Sequence, residues 1–177
     1  IFLLSAVNAQ HSILSFYEFK KRLQAIFAII YLSINIRSSS LLKKVLIMLF
    51  LGIVASSSVG VAQYVTGRNL GLSLFGEADD FYNQSIVGSS EVIRRVSGLM
   101  QHSNIFGMYL CLLLPIVYSL TFSEISKKFK YFSFFVSIVG TLGLLLTFSR
   151  AAISSFVIGM ILLFAAKWKD IFKKHNV

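Results

Sequence analysis

The chain has 177 residues, of which 56% are hydrophobic and 14% charged, with a net charge of +10 and a mean hydropathy of +0.77. A soluble domain of this length leaves too much of its surface in water to hide so much apolar material. The basic residues punctuate apolar runs and form no continuous patch, which argues against a nucleic-acid partner and matches the loops of a polytopic membrane protein.

In chain order, residues 1–15 read as the partial end of a first span. The chain opens on Ile1 with no basic stretch ahead of the apolar run, so no signal peptide is expected and the sequence reads as an internal piece of a longer protein. Residues 23–36 cover only about 21 Å as a helix, which makes them either a short span or an interfacial helix. Residues 45–64, 103–122 and 131–148 have about the 20-residue length of a spanning helix, and 151–168 form a further run. Read as one helix, 131–168 would be about 57 Å long. That is nearly twice the hydrocarbon core, so the chain must turn near Ser149 and Arg150. Pro115 predicts a kink in the span that contains it, and Gly140, Gly143 and Gly159 predict close helix packing. The expected fold class is all-α: one membrane domain, 1–177, forming a polytopic transmembrane bundle of about four to six spans, with one sizeable extracytoplasmic loop over 66–102.

Lysines set the orientation. Lys127, Lys128 and Lys130 occupy one connection, and Lys167, Lys169, Lys173 and Lys174 the tail. Two spans separate the groups, so both are expected on the cytoplasmic side, with 66–102 and the turn at Arg150 extracytoplasmic. Lys43 and Lys44 agree with this, whereas Lys20, Lys21 and Arg22 agree only if 23–36 lies on the surface. After residue 44 every lysine falls inside, and the four arginines (Arg68, Arg94, Arg95 and Arg150) fall outside. Arginine in that place points to phosphate or carboxylate, which its planar fork grips with two parallel bonds. The competing reading is a set of solvated loop arginines, and it is preferred for Arg68 and Arg94.

Ser103 or Asn104 is the expected cap of a helix beginning at Ile105. The free N–H groups and positive dipole end of that helix point outward, as in an anion site. Arg95 stands upstream, Gly98 allows a turn or close approach to a ligand, and Arg150 arrives at the same level from the next span end. Physics alone leaves this open against an ordinary capped helix with interfacial arginines.

The stretch "RRVSGLMQHSNIFGMYLCLLLP" (94–115), followed by "LLLTFSRAAISSFVIG" (144–159), resembles the O-antigen ligase and polymerase superfamily. Arg95, Gly98, His102 and Asn104 match one short element of that family. Ser149, Arg150 and Ala151 match another, and "VAQYVTG" (61–67) resembles the glutamine-containing helix end before the outer loop. Ser103 departs from the proline common in its place. The resemblance implies a multi-pass glycosyltransferase of the bacterial cytoplasmic membrane, needing no cofactor or metal. It would move a glycan from undecaprenyl pyrophosphate to a hydroxyl on a glycan or lipid acceptor. Arg95 and Arg150 would then hold the pyrophosphate, with Arg94, Gly98, Asn104 and Ser149 as substrate contacts. His102 is a weaker candidate base, since a histidine beside a helix start is more often a polar contact. Asp79 and Asp80 make a poor metal pair, and the loop acids Glu77, Asp79, Asp80 and Glu91 are expected to be solvated. Cys111, the single cysteine, excludes an intrachain disulfide. The alternative function is a polysaccharide or lipid transporter segment, but the firm spans carry none of the ionisable residues such proteins place at mid-membrane.

Overall fold

The computed structural model describes residues 12–78, 83–85, 92–123 and 126–175. Most of the expected partial span at 1–15, together with Asp79, Asp80 and Glu91, lies outside the described residues. Among the described residues the helices are α1 Ser12–Asn35, α2 Ser39–Thr66, α3 Ser103–Thr121, α4 Lys127–Leu146 and α5 Arg150–His175. Between α2 and α3 run a short 3-10 turn, Ser73–Phe75, and an antiparallel ladder of β1 (Asn83–Ser85) with β2 (Val92–Arg94). The chain divides into two compact units, Ile1–Ile47 and Met48–Val177.

Among the described residues, four helices are long and apolar enough to cross a membrane: α2, α3, α4 and the Arg150–Lys167 part of α5. The chain is therefore a helical membrane protein by length and composition. In the first unit, α1 holds an apolar helical stretch of only Ile26–Asn35. That is short of a full span, and residues 26–35 are exposed on every side.

The second unit is held together by glycines and small side chains. Lipid gives apolar helices no hydrophobic reason to associate, so contact depends on how closely backbones approach. A Cβ placed on Gly140 would lie 2.7 Å from Leu114 and 3.0 Å from Ile53. One on Gly143 would lie 2.6 Å from the Ser57 hydroxyl, and one on Gly107 2.8 Å from Ala152. These pairs fix direction. On α4, residues 140 and 143 meet residues 114 and 110 of α3, so the two helices are antiparallel. Against α5 the order ascends on both sides: Gly107 meets Ala152, Pro115 meets Gly159, and the Phe122 ring lies 5.7 Å from Phe164. Thus α3 and α5 run parallel and begin at the same end.

At the opposite end, Phe50 of α2 stacks on Phe129 at 6.0 Å between centroids and meets the tilted ring of Phe132 at 6.1 Å. There Lys167 donates to the Ser119 carbonyl at 3.3 Å and sits 5.6 Å over the Phe122 ring. The ammonium thereby meets the negative end of the α3 dipole. Between these ends the Tyr118 and Thr141 hydroxyls meet at 3.0 Å. Thr121, Ser133, Ser137 and Ser154 bond to carbonyls three or four residues back on their own helices, which makes them cheap to place among apolar neighbours.

The reversal near Ser149 expected from length occurs over Thr147–Ser149. Phe148 turns the chain with φ +48°, a left-handed conformation that costs an L residue about 1–2 kcal/mol. The Thr147 hydroxyl offsets part of this, donating to the Leu144 carbonyl at 2.6 Å and accepting from the Ser149 amide at 3.2 Å.

Replacing Gly143 with Leu should lower stability by about 1–3 kcal/mol through overpacking against Ser57. Leu142→Ala, at an exposed neighbouring position, should change it far less. Thermal unfolding midpoints of the two variants in one detergent decide this, and equal midpoints would count against glycine-mediated packing.

Candidate functional site

The chemistry-bearing residues gather at the end where α2 finishes and α3 and α5 begin. Gln63, in the last turn of α2, is fully buried. A glutamine there needs four partners, and it finds them. Its Nε2 donates to Glu77 Oε1 at 2.8 Å and to the Gly98 carbonyl at 3.1 Å. Its Oε1 accepts from the amides of Gly98 and Ser97 at 2.9 and 3.2 Å. One side chain thus grips the Gly98 peptide unit in both directions and binds both halves of the 67–102 segment to the helix end.

Glu77 corrects the expectation of a solvated loop acid: only 4% of it is exposed. The backbone amides of Leu70 and Leu72 donate to its carboxylate at 2.7 and 2.5 Å, closing residues 70–77 into a ring. Burial alone would raise its pKa, but the bonds from Gln63 and the amides of Leu70, Leu72 and Gly71 outweigh burial and hold the carboxyl below its ordinary value. Asn69 braces the ring through the Ala78 carbonyl at 2.6 Å.

Gly98 makes the turn that was one of its two expected roles. It is buried with φ +57°, and what approaches it closely is protein: a Cβ there would lie 2.6 Å from the Ser56 carbonyl and 3.2 Å from the Phe106 ring. Its small size serves the contact with α2 and α3.

Arg95 joins three elements. Its Nε donates to the Thr147 carbonyl at 2.8 Å, at the end of α4, and its Nη2 to Asn104 Oδ1 at 2.5 Å, in the first turn of α3. The adjacent Val96 amide donates to the Leu146 carbonyl at 3.2 Å. These two bonds, both to neutral oxygens, orient the guanidinium. The bond to Arg95 also explains why Asn104 is not the helix cap. Helix α3 begins at Ser103, two residues before the expected start, and the cap position falls to His102. That residue has extended backbone and no side-chain capping bond, and its carbonyl accepts from Phe106 at 3.0 Å. The imidazole is exposed.

Arg150 is the first residue of α5 and is exposed, with no side-chain hydrogen bond or ion pair among the described residues. Ser149 is buried, its Cβ facing Gly107, so it is a packing residue of the turn. Arg94 pairs with Asn83 in the ladder, and its side chain lies outside the described residues. Arg68 is exposed. Among the described residues no group of three or more His, Cys, Asp or Glu stands ready for a metal.

The structure therefore brings Arg95 and Asn104 into contact and places the α5 start, which carries Arg150, beside the α3 start. It takes Gly98 and Ser149 into the packing. Gln63 and Glu77, which tie this end together, escaped the motif reading, the first noticed only through "VAQYVTG". No family model, curated protein or solved structure matches the chain.

Glu77 makes a pH prediction. A carboxyl whose folded pKa is depressed stabilises the fold above its unfolded value, near 4.5, and loses that contribution as pH falls through the lower, folded value. Amide exchange at Leu70 and Leu72 should therefore stay protected above pH 4.5 and lose protection on further acidification. In Glu77→Gln the protection should be weaker throughout, since an amide group would face the Leu72 N–H, and should not change across this range.

Proposed function

We propose that the chain is the donor-binding part of an integral-membrane glycan transferase of the O-antigen ligase and polymerase class. In the reaction, an acceptor hydroxyl attacks the sugar carbon bonded to phosphate and loses its proton to a base. The carbon–oxygen bond to phosphate breaks, and the lipid pyrophosphate leaves with the electron pair. The leaving group gains negative charge in the transition state, so catalysis calls for fixed positive groups where that charge develops.

One observation carries the reading. Two parallel helices, α3 and α5, start side by side at an end where the Arg95 guanidinium is fixed and Arg150 is exposed. Two positive dipole ends and two guanidinium groups offer a pyrophosphate the polarity it requires. Arg150 has the freedom to close on a ligand, while Arg95 supplies a charge oriented in advance. In this reading Asn104 positions Arg95, His102 stands at the rim, and the donor is a glycan on undecaprenyl pyrophosphate. The residues at this end lie outside the bacterial cytoplasmic membrane, and the acceptor is a glycan or lipid hydroxyl.

Lysine keeps the charge of arginine but cannot reproduce a two-pronged contact. Arg150→Lys should therefore cost glycan transfer about 2–4 kcal/mol of transition-state stabilisation, or roughly 30- to 1,000-fold in rate. Arg68→Lys should be nearly silent. Transfer assays on membranes with matched protein levels check both, and full activity in Arg150→Lys would remove the bidentate role.

Sidedness has its own test. In a Cys111→Ala background, an impermeant thiol reagent applied to intact cells should modify Gln101→Cys and spare Lys128→Cys, both exposed positions. The reverse pattern would place the arginine end in the cytoplasm and remove the proposed donor.

A further inference from the structure

The ring of residues 70–77 presents an apolar tip. Leu74 is 98% exposed and Phe75 71%, at the apex of the 3-10 turn. Two large apolar side chains held out together in water are costly, and such exposure marks a surface that meets something apolar. The tip is rigidly presented. Its base is held by the Glu77 carboxylate, which accepts from Leu70, Leu72 and Gln63. Gly76, with φ +101°, lies so close to the segment behind it that a Cβ would sit 2.7 Å from the Leu99 carbonyl.

We propose that Leu74 and Phe75 insert into the boundary of the lipid bilayer, making the 70–77 ring an interfacial anchor beside the end of α2. Three observations favour lipid over a protein partner. First, the Gln63–Glu77 bond holds the ring at the level of the last turn of α2, one of the membrane-crossing helices. The base of the ring is thus kept at the level where that span ends. Second, the span end itself is apolar and uncovered, since Tyr64 and Val65 in that last turn are 42% and 76% exposed. Tyrosine at a span end is a usual interfacial residue. Third, Arg68 lies in the chain between span and tip and is exposed, as a cation that meets lipid phosphate is. Leucine, an aromatic and a cation together are the composition of segments that lie in the interface. The anchor is independent of the proposed reaction and holds on whichever side of the membrane this end lies.

The test uses the whole protein in lipid nanodiscs. In the Cys111→Ala background, Leu74→Cys, or Phe75→Cys should the first fold poorly, is labelled with a small environment-sensitive fluorophore. Lys128→Cys, exposed at the start of α4, is the aqueous reference. The label at 74 should emit at shorter wavelength than at 128, be quenched by lipids carrying a shallow spin label, and resist aqueous iodide several-fold better. Iodide quenching equal to that at 128, with no lipid quenching, overturns the proposal. A label shielded from both quenchers also overturns it, because the tip would then be covered by protein.

Discussion

The connection between α2 and α3 depends on the carboxamide of Gln63. A buried amide with four groups to satisfy is expensive if any one is lost, because nearby water is not there to replace it. Here all four are used: one goes to Glu77 and three to Ser97 and Gly98, near the two ends of the connection between α2 and α3. The 67–102 segment is thereby pinned at both Glu77 and Gly98. The local shortage of water also strengthens each bond and makes the arrangement close to all-or-none.

Arg95 inherits its position from this constraint. Arg95 follows the ladder and precedes the Gln63-bound Ser97 and Gly98 by two and three residues, so fixing Gly98 delivers Arg95 to the mouth between α3 and α4. There it closes the ends of two antiparallel helices, as a carbonyl of one and a side chain of the other share its donors. Arg150 reaches the same end by a different route, the strained reversal at Phe148. Two independent backbone devices thus supply positive charge at one end, and that convergence is what a leaving pyrophosphate would use in the proposed reaction.

The membrane helices were legible in the sequence because bilayer thickness is a hard ruler. An apolar run from 131 to 168 had to fold back, and it does so over Thr147–Ser149. The close-packing glycines at 140, 143 and 159 were legible for the same reason, as lipid leaves little else to hold helices together. The loop was not legible. Glu77 looked like one acid among several, and its burial depends on Gln63, Leu70 and Leu72 meeting in space, which no local pattern announces. Gly98 reads as a turn or a close approach, and the sequence does not say that the group approaching it is the Ser56 carbonyl. Asn104 had the chemistry of a cap, but Arg95 claims its oxygen. In each case local propensity described what the residue could do, and a long-range partner decided what it did.

Helix α5 differs from its neighbours in having only 6% of its spanning part buried within the protein. Its contacts with α3 fall on Ala152, Phe156, Gly159, Phe164 and Lys167, a single stripe at helical spacing. Off that stripe most of the spanning part is exposed, and an apolar surface of that kind asks for apolarity and not for a particular shape. Exchanges among valine, isoleucine, leucine and phenylalanine there should disturb the packing of this unit little. The stripe, set against side chains of α3, admits a far narrower choice of size.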